Sequence, residues 1–125
     1  MVAPNIVGVT TITGITTSLS LANTSATVLV SNPNNSQYVY KINSIIVAND
    51  NGSSTATITA TVNDSQNGAG TAYRLAFAID VAPKSTLIIL DKASSIYLPE
   101  NSSIVVTASS GNFLDVVCSY EAIID

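Results

Sequence analysis

The sequence predicts an all-β protein, a single antiparallel β-sandwich of jelly-roll or immunoglobulin-like type, with an uncharged, extended N-terminal arm. Three observations lead there. Apolar residues alternate with Ser, Thr or Asn at a period of two, which gives a strand one face for a core and one for solvent. Residues that favour reversal fall between these runs at roughly ten-residue intervals, as in a sandwich of about eight short strands. No stretch carries a helical apolar period with caps. The 125 residues suffice for one such core.

Strand signals dominate from Ser25 onwards, and residues 25–125 are read as the sandwich domain. The first candidates are 26–30 and 39–48. In Thr55-Ala56-Thr57-Ile58-Thr59-Ala60-Thr61-Val62, threonine alternates with apolar residues. Ala56, Ile58, Ala60 and Val62 are expected to face the core and the threonines solvent. In Tyr73-Arg74-Leu75-Ala76-Phe77-Ala78-Ile79 the same period groups Tyr73, Leu75, Phe77 and Ile79 on one face. Arg74, Ala76 and Ala78 then form a flat opposite face suited to a neighbouring protein. Further strands are expected at 86–90, 96–98, 104–108 and 114–120.

Turn chemistry separates these runs. Asp50-Asn51-Gly52 and Gly111-Asn112 contain residues that tolerate positive φ, as a tight hairpin demands. Asn32-Pro33-Asn34-Asn35, Gln66–Gly70 and Pro99-Glu100-Asn101 mark other reversals.

Residues 1–24 are different, being rich in Thr, Ser, Val and Ile, and no charged side chain precedes Lys41. Natural sheet edges are usually protected by charge. Two readings follow. The segment adds strands to its own sandwich, or it is an arm that pairs with, or lies across, a neighbouring subunit through main-chain hydrogen bonds.

Composition narrows the function. Apolar residues make up 46% of the chain and charged residues only 10%, so the polar surface is largely Ser, Thr and Asn. Such a surface costs little to desolvate and suits permanent protein contact. The net charge is −4, and Lys41, Arg74, Lys84 and Lys92 are the only basic residues. Nucleic-acid binding needs clustered cations to displace phosphate counterions, so no nucleic-acid partner is expected. The N-terminus does not read as a signal peptide, and no apolar run approaches the ~20 residues that span a bilayer. No membrane partner is expected. Asn-x-Ser/Thr triplets at Asn23, Asn51 and Asn101 are ordinary in so Ser-rich a chain.

Catalytic signatures are missing. The chain has no histidine, the usual general base and commonest metal ligand. The carboxylates Asp50, Asp64, Asp80, Asp91, Glu100, Asp115, Glu121 and Asp125 fall mostly at turns and strand ends, with no spacing that pairs them. No catalytic, cofactor-binding or metal-binding residue is therefore assigned, and the chain is read as a non-enzyme without cofactors. Two loops, Asp50-Asn51-Gly52 and Asp64-Ser65-Gln66-Asn67-Gly68, hold oxygen ligands of the kind calcium takes, but turn formation explains them and no EF-hand glutamate follows. Gly68-Ala69-Gly70 lacks the lysine and helix of a phosphate loop. Tyr38 and Tyr40 share a face at a strand entry and are read as packing residues, with a sugar platform as the alternative. Cys118, the single cysteine, falls in register with Leu114, Val116 and Tyr120 and reads as a small buried hydrophobe.

Several stretches also carry a resemblance. Tyr40-Lys41-Ile42-Asn43-Ser44-Ile45-Ile46-Val47-Ala48-Asn49, Tyr73-Arg74-Leu75-Ala76 and Ser85-Thr86-Leu87-Ile88-Ile89-Leu90-Asp91-Lys92 are three of them. Ile96-Tyr97-Leu98-Pro99-Glu100-Asn101 and Val116-Val117-Cys118-Ser119-Tyr120-Glu121 complete the set. Together they resemble small β-sandwich virion structural proteins, capsid decoration or cement-like, of tailed phages of aquatic bacteria. The resemblance implies a module on the capsid exterior that binds the major capsid protein and assembles as a homo-oligomer, with a trimer favoured. It implies no active site. The alternatives are an adhesion or carbohydrate-binding module of a tail or fibre, and a structural component of the tail or neck.

Overall fold

A computed structural model describes residues 4–125. It contains nine strands: β1 (Thr11–Ser20), β2 (Thr27–Asn32), β3 (Val39–Asn49), β4 (Ala56–Asn63), β5 (Ala72–Val81), β6 (Thr86–Leu90), β7 (Ile96–Leu98), β8 (Ser102–Ala108) and β9 (Leu114–Ile124). One sheet has the order β1-β9-β3-β6, with β7 beside β6 on the same flank of β3; the other runs β2-β8-β4-β5. Every pairing is antiparallel.

This order selects the jelly roll over the immunoglobulin-like alternative. The strands pair as in one long hairpin, β4 with β5, β3 with β6 and β7, β2 with β8, β1 with β9. Successive pairs of that hairpin are dealt alternately to the two sheets, which is how a jelly roll wraps. All-β sandwich architecture is thus as the alternation predicts.

The core lies between the sheets. Ile42, Ile45 and Val47 of β3 and Leu114, Val116 and Cys118 of β9 enter from one side. Ile58 and Ala60 of β4 and Ile104 and Val106 of β8 enter from the other, all of them fully buried or nearly so. Each large side chain of this set contributes about 1.5–3 kcal/mol by leaving water. Val62 packs against the core from the end of β4, so all four apolar positions of that strand face as expected.

Three local expectations are corrected. Asp50-Asn51-Gly52 and Gly111-Asn112 do not close hairpins: each carries the chain from one sheet to the other, β3 to β4 and β8 to β9. None of residues 50–52 has positive φ. That loop is shaped instead by side-chain oxygens, with Asn51 N–H donating to Asn49 Oδ1 at 2.9 Å and Ser54 N–H to Asn51 Oδ1 at 2.8 Å. At the other crossover Asn112 takes φ 64°, while Gly111 is required because a Cβ there would sit 2.5 Å from the Ala22 carbonyl oxygen.

The third correction concerns β5. Tyr73, Leu75, Phe77 and Ile79 do not share a buried face: Tyr73, Phe77 and Ile79 are exposed and only Leu75 packs on the core. The register against β4 shifts twice, between Ile58 and Ala60 and between Ala60 and Thr61. Each bulge adds a residue and inverts the alternation beyond it. Ala78, at φ 48°, stands within the first of them.

The segment 1–24, read as either arm or strand, is described from Pro4. Its residues Thr11–Ser20 form β1 and pair with β9 over ten consecutive positions. Residues 1–3 lie outside the described part.

Candidate interaction surface

The outer face of the β1-β9-β3-β6 sheet follows from alternation. Because Leu114, Val116 and Cys118 point inward, Asp115, Val117, Ser119 and Glu121 point outward. Cross-strand partners share a face, so the register writes out the surface row by row. One row is Ser18–Val117–Ile46–Ile88, an apolar stripe across β9, β3 and β6 in which Ile88 is 59% exposed and Val117 38%. The next holds the hydroxyls Thr16, Ser119 and Ser44. Beyond it come Gly14, Glu121, Lys41 and Tyr97, then Ile12, Ile123 and Val39. Ile12 is exposed while Ile123 and Val39 are buried. The middle of the face is therefore apolar or hydroxyl-bearing, with Asp115 beside Ser20 and Ala48 on one flank and Lys41 directly opposite Glu121 on the other.

Of the four sheet edges, those of β1 and β5 differ most in what they present. β1 has no charged residue, no proline and no shift in its ten-residue register. Those are the devices that ordinarily deter strand addition, so β1 is an unprotected edge. β5 carries two bulges and the exposed Arg74, whose guanidinium carbon lies 3.8 Å from the centroid of the Phe77 ring.

The outer face of the second sheet is partly covered by its own chain. The 3₁₀ turn Gln66–Gly68 lies on β2 and β8. Gly68 N–H donates to Ser103 Oγ at 2.9 Å and Asn67 N–H to Ser31 Oγ at 3.0 Å. A Cβ on Gly68, at φ 78°, would come 3.2 Å from Val105, so glycine lets the turn lie flush. Asp64 Oδ1 accepts from Thr71 N–H at 2.7 Å. Asn51 Oδ1 and Asp64 Oδ1, one from each loop, are thus engaged in shaping the loops. Among the described residues no three His, Cys, Asp or Glu side chains gather closely enough to hold a metal, and no helix is long and apolar enough to cross a membrane.

Tyr38 and Tyr40 meet as expected, with ring centroids 5.9 Å apart, and Tyr120 joins them 5.0 Å from Tyr40. The rings are tilted and half-buried, and Tyr40 and Tyr120 pack on the core. They plug one end of the sandwich and offer no open, coplanar platform for a sugar. Burial, then the neighbouring Tyr38, raises the pKa of Tyr40; burial, then Tyr40 and Cys118, raises that of Tyr120. Cys118 is fully buried, and burial pushes its thiol from 9.0 up to about 12. A thiol so placed is neither nucleophile nor ready disulfide partner.

One set of polar residues was not anticipated. Asn32, Asn49 and Asn63 are each the last residue of a strand and each is buried. Asn32 Nδ2 donates to the carbonyls of Tyr38 and Leu98, both at 3.0 Å. Asn49 Nδ2 donates to those of Ser54 and Val81, both at 2.9 Å, and Asn63 Nδ2 to that of Gly68 at 2.9 Å. Each amide ties down carbonyls of loops or of strand ends. For Asn32 and Asn49 the available signal was an asparagine at an inward position just where a strand pattern stops; Asn63 falls on the outward side, where the Gln66–Gly68 turn covers it.

No protein-family model matches the chain, and no curated protein does. Solved structures do. A chain of the endospore appendages of Bacillus, described as a novel family of disulfide-linked pili, is 21% identical, covering 91% of this chain and 88% of that one at a TM-score of 0.51. A chain of the acidic stable capsid of Helicobacter pylori bacteriophage KHP30 is 10% identical, covering 94% and 90% at a TM-score of 0.52. Both are similar over nearly their whole length. The likeness is one of fold, and it places this chain among small all-β sandwich proteins.

Proposed function

We propose that the protein is a structural subunit of a virion, a capsid decoration or cement protein that binds the major capsid subunits from outside and stabilises the head without catalysis. The observation that carries the reading is the apolar stripe and adjoining hydroxyl row on the outer face of the β1-β9-β3-β6 sheet, continuous with the unprotected edge of β1. An apolar stripe and small hydroxyls desolvate cheaply, and each ~100 Å² of apolar surface covered contributes ~2.5 kcal/mol before the costs of association. Repeated over many copies, such contacts resist outward pressure on a shell. The fold likeness to a capsid chain of bacteriophage KHP30 supports the reading. The N-terminal segment takes the part assigned to an arm by offering β1 to a capsid strand, and assembly as a homo-oligomer, a trimer in the resemblance, multiplies the contacts.

A second reading, a subunit of a tail or fibre, is favoured by β1 alone, since an unprotected edge can accept a strand from the next copy. The likeness to the Bacillus appendage chain supports it. Linkage by disulfides would have to do without Cys118, which is buried.

The test uses purified protein and heads that lack it. Wild-type protein should co-sediment with heads and raise their survival on heating. The variant I46K/I88K/V117K, which puts charge on the stripe and leaves the core alone, should bind at least tenfold more weakly. Equal binding by both would overturn the assignment of this face, and no binding by wild type would overturn the head location.

A further inference from the structure

We infer that the β5 edge is a self-complementary contact through which two copies of this chain associate about a twofold axis passing beside Phe77. The two bulges carry the argument. In an unbroken strand, Arg74, Phe77 and Asp80 would alternate in facing, being three residues apart. Here Arg74 lies opposite Thr61 and Asp80 opposite Thr57, both on the outward face of β4. The Arg74 guanidinium stacks 3.8 Å from the centroid of the Phe77 ring, so Phe77 stands on that side too. Ala78 N–H donates to Thr59 Oγ1 at 3.0 Å, which pins the bulge to the outward threonine row. The strand therefore places Arg74, Phe77 and Asp80 on the outward side in that order, with Phe77 at the midpoint by residue count and the Arg74 guanidinium resting on its ring.

That order is its own complement. A twofold axis perpendicular to the strand at Phe77 turns the row end for end, bringing Arg74 against the second copy's Asp80, Asp80 against its Arg74, and ring against ring. An isologous contact requires this symmetry of the patch. Of the four basic residues in the chain, one stands here, on the same strand as the exposed apolar side chains Tyr73, Phe77 and Ile79. The bulges oppose a continuous β-ladder between copies, so the contact is made by side chains. A second copy is the occupant that meets both charges with their opposites. The inference is independent of the capsid-facing surface proposed above, which lies on the other sheet.

Sedimentation equilibrium of wild type, R74D, D80R and R74D/D80R over a range of concentrations tests it. Wild type should form a dimer, or a hexamer if a separate surface also makes trimers. Each single swap sets like charges against each other and should weaken association about tenfold or more, while the double swap restores the pairs and should return to within about threefold of wild type. All of these positions are exposed, so circular dichroism should be unchanged. A wild-type monomer or odd-numbered oligomer, or a double swap as weak as the singles, would overturn the inference.

Discussion

Replacing Asn32 by alanine removes the amide that joins the end of β2 to the start of β3 and to β7. The side chain is 0% exposed, and its Nδ2 donates to the carbonyls of Tyr38 and Leu98, both at 3.0 Å. Its Oδ1 accepts from the Ser36 hydroxyl. Alanine takes the amide donor from the buried Leu98 carbonyl, at a cost of about 2 kcal/mol, and from the part-buried Tyr38 carbonyl, which water can reach in part, at about 1 kcal/mol. The loss of about 3 kcal/mol should lower the urea midpoint by about 1.5 M, taking a slope of about 2 kcal/mol per molar. Urea unfolding followed by circular dichroism measures this. Asn34→Ala, exposed in the same turn, is the control and should stay within about 0.5 kcal/mol of wild type. Asn32→Asp sharpens the test, because it keeps the shape and replaces the donors by a buried carboxylate aimed at two carbonyls. That group's folded pKa is raised above the ordinary ~3.9, so the folded state holds its proton more tightly. Stability relative to wild type should therefore recover as pH falls through the folded value. A loss below about 1 kcal/mol in Asn32→Ala, or a deficit in Asn32→Asp that does not depend on pH, would refute the reasoning.

Native protein should leave Cys118 unreactive toward Ellman's reagent at neutral pH, with the full thiol released only in denaturant. The same burial sets an alkaline limit. The unfolded thiol ionises near 9.0 and the folded one near about 12, so the folded state binds more protons between those values and stability should fall as pH rises through that window. Tyr40 and Tyr120, also raised, act in the same direction, and thermal melts across that range should show it. Gly111→Ala forces a Cβ against the Ala22 carbonyl and should cost about 1–3 kcal/mol in urea unfolding, whereas Gly8→Ala, with open space around it, should be close to neutral. Ile45→Ala, at a fully buried position in β3, should cost about 2–5 kcal/mol by the same measurement.

Much of the strand layout was legible because the period of two is a local record of which side is dry. The alternation of Thr55–Val62 placed Ala56, Ile58 and Ala60 inward, where they are buried, and that of 114–120 placed Cys118 beside Leu114 and Val116. The same rule failed on β5, since a bulge is decided by the neighbouring strand, and nothing in Tyr73–Ile79 itself records that Thr59 will capture the N–H of Ala78. The interaction surfaces were legible only in composition. A chain poor in charge must present neutral surface, but the Val117–Ile46–Ile88 stripe exists only once three strands distant in sequence lie side by side. The self-complementary row on β5 likewise depends on two bulges.

The sequence alone determined the class: an all-β chain with a single core, a shortage of ionic groups and a cysteine kept dry. Those are properties of each segment's own hydrophobic pattern. Tertiary structure decided the jelly-roll wrap, the assignment of β3 and β4 to opposite sheets, and the docking of Thr11–Ser20 on the far end of the chain, where Thr11 meets Ile124. The reason is physical: a turn residue lowers the cost of reversing the chain but carries no information about which strand waits on the other side. That choice belongs to the free energy of closing one shared core between two sheets.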